Sequence, residues 1–161
     1  MIEQVQRLLD DARFAELFLP GSRAEVPIVG RLAHNGRTVA VSGQVDRLAV
    51  TGDSVLIADY KTNRKARHKG VEERPSSRAM DGRERPYGSP RRIEEVPKAY
   101  VTQLALYRAV LGRLYPDNAI RAVLIWTDIP DLMEISAAAM DHELATVVSG
   151  EIASHWIAIS H

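Results

Sequence analysis

Two tight-turn signals, Asn35-Gly36 and Thr51-Gly52-Asp53, constrain this chain more than any other feature, because they fold three consecutive strand-like runs back on one another. Asn-Gly between alternating apolar segments is the strongest short hairpin signal, since both central residues must adopt positive φ. It joins residues 25–34 to 37–50, and a third run, 54–61, follows the second turn. In an antiparallel pair the numbers of facing residues have a constant sum. A first turn centred on Asn35-Gly36 sets that sum at 71, and a second centred on Gly52-Asp53 sets it at 105. The second register predicts that Asp46 faces Asp59, Gln44 faces Lys61, Leu48 faces Ile57 and Val50 faces Val55. The first predicts that Glu25 faces Asp46. Three carboxylates then cross neighbouring strands in a row, with Lys61 two residues beyond Asp59 on the same face.

Facing Cβ atoms in a sheet are about 4.5–5.5 Å apart, and like charges at that separation are destabilising. A fold that sets carboxylates there needs a compensating cation, and Mg²⁺ fits: it takes oxygen ligands and uses one or two carboxylates plus water and phosphate. On the residues alone a second reading stays open, in which Asp46 and Asp59 are strand-end surface acids paired with Arg47 and Lys61.

The rest of the chain supplies helices. Residues 2–18 have helical apolar periodicity through Val5, Leu8, Leu9, Phe14 and Leu17, closed by Pro20-Gly21. Residues 97–114 predict a helix with proline at its start and Pro116 beyond its end. A buried strand over 119–127, a short strand over 132–135 and a final helix over 138–153 complete the pattern. Apolar periodicity disappears between residues 64 and 97, and 67–90 reads as a flexible insertion. The resulting class is α/β, one domain with a mixed central sheet flanked by helices in the order α-β-β-β-α-β-β-α. The formal net charge is zero, yet residues 61–98 carry twelve Lys/Arg against six Asp/Glu, so a basic segment adjoins an acidic remainder. That suits an enzyme holding phosphate near metal-binding carboxylates, and equally a solvated arginine-rich loop. The absence of cysteine rules out disulfides, thiolate zinc sites and iron–sulfur clusters, and agrees with a cytoplasmic setting.

Three short patterns now join. Gly43-Gln44-Val45-Asp46-Arg47-Leu48 resembles the GxxDR(I/L) motif of RecB-like PD-(D/E)XK nucleases, Asp59-Tyr60-Lys61-Thr62 their DYKT motif, and Gln103-Leu104-Ala105-Leu106-Tyr107 their QxxxY motif. Each is short, but the three stand in order on strand, strand and helix. The surrounding sequence is particularly similar to the C-terminal nuclease domains of alphaproteobacterial AddA-type helicase–nucleases. The resemblance implies a restriction-endonuclease-like fold and metal-dependent DNA cleavage with Mg²⁺ or Mn²⁺. It implies Asp46 and Asp59 as metal ligands with the Tyr60 carbonyl as a third, and Lys61 as the group that orients or activates the attacking water. Gln103 and Tyr107 would steady the site and touch the DNA backbone, and Glu25 matches an acidic position just upstream. The implied partners are single-stranded DNA from unwound ends, the remainder of an AddA-type protein, and an AddB-type subunit.

The chain departs from that family in two ways. The family's metal-binding histidine on an upstream helix has no match, so the chain reads as an excised fragment, expected to show little or no nuclease activity by itself. His34, His68, His142, His155 and His161 read as surface residues. The second departure is the insertion at 67–90. No GxxxxGK(S/T) loop is present, so an ATPase motor would lie elsewhere in a parent protein. Two further readings remain: a nuclease-like module that docks an AddB-type partner without cutting, and a plain nucleic-acid-binding domain using the basic segment.

Overall fold

The computed structural model describes residues 14–34, 36–62, 93–127 and 131–150. Most of the helix expected over 2–18, and the insertion expected at 67–90, lie outside these residues. Within them the strands are β1 (Arg23–His34), β2 (Arg37–Val50), β3 (Ser54–Lys61), β4 (Ala119–Trp126) and β5 (Asp131–Ile135). The helices are α1 (Lys98–Leu114) and α2 (Ala137–Ser149), with 3₁₀ turns at Ala15–Phe18 and Ile93–Glu95. The five strands form one sheet in the order β1-β2-β3-β4-β5. All neighbours are antiparallel except β3 and β4, which are parallel and connected through the segment that carries α1. The mixed sheet with flanking helices is the architecture expected from the sequence.

Strand β3 is covered on both sides, which is why it reads as a nearly unbroken apolar run. Val55 and Ile57 join the main core with Leu104, Leu111, Leu124 and Trp126, beneath α1 and α2. Leu56 and Ala58 point the other way, to a smaller cluster with Phe14, Leu17, Val123 and Ile125. Helix α2 starts on Ser136, whose hydroxyl accepts from the Ala139 amide at 3.2 Å. It ends at Gly150, whose φ of 81° is a left-handed stop, so the helix is shorter than the 138–153 expected.

Both registers are observed, but only up to one level of the sheet. β1 and β2 pair from His34↔Arg37 to Val26↔Val45, and again at Ala24↔Arg47 and Arg23↔Leu48, always summing to 71. The pair Glu25↔Asp46 is missing between them. Glu25 takes φ 52°, left-handed backbone for a residue with a Cβ, at a cost of order 1–3 kcal/mol. Val45 and Leu48 both enter the main core although an odd spacing should put them on opposite faces. The two strands therefore turn over together at Glu25 and Asp46 without losing register. β2 and β3 pair from Val50↔Val55 to Arg47↔Ala58, the expected sum of 105, and the ladder then stops. The expected face-to-face pairs Asp46–Asp59 and Gln44–Lys61 are thus corrected: the strands fork just before them, and on β2 it is Val45 that enters the core, not Gln44.

Helix α1 seats on this sheet at a glycine. A Cβ built on Gly43 would lie 2.1 Å from the Tyr107 hydroxyl, so only glycine lets that phenol approach the backbone of β2. The hydroxyl then accepts from the Gln44 amide at 3.1 Å. Gly43→Ala should destabilise the domain by about 1–3 kcal/mol through overpacking. Tyr107→Phe should also destabilise it, because the Gln44 amide loses its acceptor. Urea denaturation of the double variant should show a loss smaller than the sum, since removing the hydroxyl makes room for the new methyl group.

Candidate active site

The fork between β2 and β3 opens at the carboxyl end of β3, beside the parallel β3/β4 pair. Open sheets with parallel strands characteristically bind ligands outside such strand ends. Asp59 stands there, opposite Leu124 on β4, with 0% of its side chain exposed. A carboxylate so buried must be neutralised and hydrogen-bonded. Lys61, two residues along the same face, ion-pairs with it. Gln103 of α1 adds its amide Nε2 at 3.5 Å from Asp59 Oδ1.

Gln103 ties the whole group together. Its Oε1 accepts from Lys61 Nζ at 3.0 Å, and its Nε2 also reaches the Tyr107 hydroxyl at 3.2 Å. The lysine on one side fixes which end of the amide is oxygen. Through Tyr107 the chain of bonds continues to the Gln44 amide on β2. One network thus runs β3 to α1 to β2 through Asp59, Lys61, Gln103, Tyr107 and Gln44. The i, i+4 spacing of Gln103 and Tyr107 puts both on the sheet-facing side of α1, where both are buried.

Asp46 enters from the other prong of the fork. Its Oδ2 accepts from the Tyr60 amide at 2.5 Å, a backbone group whose ladder partner on β2 is gone. Both acids therefore converge on one level of β3, Asp59 by position and Asp46 by its grip on the next residue. The two carboxylates with the neighbouring Tyr60 carbonyl are an all-oxygen donor set, which fits a hard divalent cation completed by water and phosphate. Among the described residues no three His, Cys, Asp or Glu side chains cluster as a ready-made cage.

The remaining expectations divide. Glu25, expected in line with Asp46, is exposed and takes the left-handed backbone at the turnover. The alternative pairing of Asp46 with Arg47 is not what forms. Arg47 donates from Nη2 to Ser22 Oγ at 2.8 Å and packs over Phe18, with its guanidinium carbon 6.0 Å from the ring centroid. The Asp59–Lys61 pair does form, but buried rather than on the surface. His34 and His142 are exposed, as expected, and Trp126 is a core residue. Sequence reasoning missed Glu143 of α2, a nearly buried acid that accepts from Thr102 Oγ1 at 3.1 Å and pairs with Lys98 at 3.7 Å. It pins α2 to α1 one residue from Gln103, and no spacing in the sequence announces it.

The solved structure titled "Crystal structure of SSO0001" aligns with a TM-score of 0.41 and 14% identity over 92% of this chain, which spans 57% of the length of that one. No curated protein matches the chain. The model of the PD-(D/E)XK nuclease superfamily matches residues 2–150, nearly the full length, and with the sheet, the fork and its two acids and lysine, the chain belongs to that superfamily.

Proposed function

We propose that this chain is a Mg²⁺- or Mn²⁺-dependent DNA nuclease domain that hydrolyses phosphodiester bonds, and that it serves as the nuclease of an AddA-type helicase–nuclease degrading DNA ends during double-strand break repair. The observation that carries the first part is the bonded set Asp59, Lys61 and Gln103 at an open strand fork, with Asp46 anchored one residue away. The second part rests on the likeness of the three motifs and their flanks to AddA-type C-termini. It brings with it single-stranded DNA as substrate and an AddB-type subunit as partner.

In this reading Asp46 and Asp59 hold the ion, with the Tyr60 carbonyl beside them. A bound Mg²⁺ supplies Lewis acidity toward the scissile phosphate and lowers the pKa of bound water. Lys61 brings a positive charge to the place where the nucleophile and the phosphate oxygens meet, and stabilises the charge that develops there. Gln103 fixes the direction of the Lys61 ammonium, and Tyr107 fixes Gln103. Gln103 and Tyr107, which the resemblance also sets against the DNA backbone, are both buried, so their part in this reading is to steady Lys61. No helix among the described residues is long and apolar enough to cross a membrane.

Metal binding can be tested apart from cleavage. Mg²⁺ at ten times its dissociation constant should stabilise the chain by about 1.4 kcal/mol through mass action, a rise of about 3–6 °C in melting temperature. Asp46→Asn keeps an oxygen for the Tyr60 amide, so it should fold normally, yet erase most of that rise. Calorimetry in EDTA and in Mg²⁺ reads both, and an undiminished rise in Asp46→Asn would remove Asp46 from the ligand set.

Cleavage should depend on the other two residues differently. In the full-length protein Asp59→Ala should abolish degradation of single-stranded DNA while sparing ATP-driven unwinding. Lys61→Ala should also cut poorly, and in EDTA should unfold at a lower temperature because it strands a buried carboxylate, a loss of about 3 kcal/mol. Mg²⁺ should then stabilise Lys61→Ala more than the parent chain. A full-length Asp59→Ala protein that still degrades DNA at close to the unsubstituted rate would overturn the nuclease reading.

A further inference from the structure

We propose that Tyr100 is a positioning residue for Lys61, holding the ammonium by the face of its ring; this rests on the nuclease reading above. Lys61 Nζ lies 4.2 Å from the centroid of the Tyr100 ring, well within the range of a cation–π contact. An ammonium carries three N–H bonds in a tripod. Here one side is taken by the Asp59 carboxylate, one by Gln103 Oε1 at 3.0 Å, and Tyr100 closes a third. The Lys61 side chain is only 12% exposed, so the ring faces a cation with little water around it, where such contacts are strongest.

The ring is itself held in place. Tyr100 lies in the first turn of α1, its amide donating to the Pro97 carbonyl at 2.9 Å, and its side chain packs against the main core. Tyr100, Gln103 and Tyr107 follow at i, i+3 and i+7, one face of one helix. The helix therefore presents to the fork an aromatic face, an amide and a phenol as a single rigid unit. Lysine is a long flexible side chain around a compact charge, so its direction must be imposed by its surroundings. Two carbonyl-type acceptors alone leave the ammonium free to rock out of the fork; the ring limits that motion. A tyrosine beside a nuclease site could instead stack a base, but the ring face covered by Lys61 is closed to one.

The test uses the chain with single-stranded DNA in Mn²⁺ or Mg²⁺, enzyme in excess, together with NMR of the Lys61 ε-methylene. A methylene held over a ring face resonates upfield of other lysines. That shift should be present in the parent chain and in Tyr100→Phe, and absent in Tyr100→Leu, which fills the space without an aromatic face. The cleavage rate of Tyr100→Leu should fall about ten-fold while the DNA concentration for half-maximal rate and the metal-induced melting shift stay within two-fold. Tyr100→Phe should restore the rate. In a Lys61→Ala background, Tyr100→Leu should cost nothing further. If the parent chain cuts and Tyr100→Leu cuts equally fast, or if its defect lies in DNA affinity and survives in Lys61→Ala, the positioning role is wrong and base stacking takes its place. If the upfield shift is present but neither this chain nor the full-length protein that carries it cuts DNA, the nuclease reading falls and this inference with it.

Discussion

The structure turns on one expensive object, a carboxylate with no exposure to water at the end of a central strand. Taking an ionised acid out of water costs several kcal/mol even after the protein relaxes, and only close opposite charge and good hydrogen bonds offset it. Asp59 obtains both from residues held by two different elements, Lys61 on its own strand and Gln103 on α1. The sheet and the helix are therefore bound together by the demand of that one group. If α1 slid along the sheet, the amide would leave the acid; if β3 slipped by one residue, Asp59 and Lys61 would both move to the other face. The site and the register of the fold specify each other.

The second constraint is the fork. A regular antiparallel ladder at this level would have filled the Tyr60 amide with a β2 carbonyl and closed the space between the prongs. Instead β1 and β2 turn over together at Glu25 and Asp46, and the Asp46 carboxylate takes the place of the lost ladder partner. The left-handed backbone at Glu25 is the local cost of that arrangement, and such strain persists where the surroundings determine it. Forking the strands takes the Asp46 side chain out of the ladder while the Tyr60 and Gln44 amides remain satisfied. A bulge in one strand would have shifted the register of everything beyond it. A turnover shared by two strands does not.

How far the sequence could be read follows from these two features. The turn chemistry of Gly36 and Gly52 determined the hairpin registers, and the observed sums agree with it on both sides of the fork. Strict alternation failed at Asp46 because nothing local marks the turnover: Glu25 is neither glycine nor asparagine, the residues that ordinarily signal left-handed backbone. The prediction that Asp46 and Asp59 face each other as a bare like-charged pair was wrong in detail for the same reason. Asp59 is compensated within the chain by Lys61, and Asp46 by a backbone amide. Gln103 and Tyr107 were legible only as a motif at helical spacing. That the hydroxyl of Tyr107 rests on Gly43 is a fact of tertiary packing, and it gives the motif glycine a steric reason that no single-strand pattern contains. The placement of Glu143 likewise depends on how α2 crosses α1, which periodicity does not set.

These contacts also couple positions on α1 and β2 to one another. Gly43 sets how near the helix comes to β2, because the Tyr107 phenol must fit above it. That distance decides whether Tyr107 can hold both the Gln44 amide and Gln103. The orientation of Gln103 in turn decides whether Lys61 finds an acceptor on the helix while it pairs with Asp59. An error of an ångström at the glycine would thus arrive at the lysine as a misdirected charge. Under the proposed function, where stabilisation of a reacting phosphate depends on donors fixed before the charge appears, the residue with no side chain would belong to the same functional unit as the lysine.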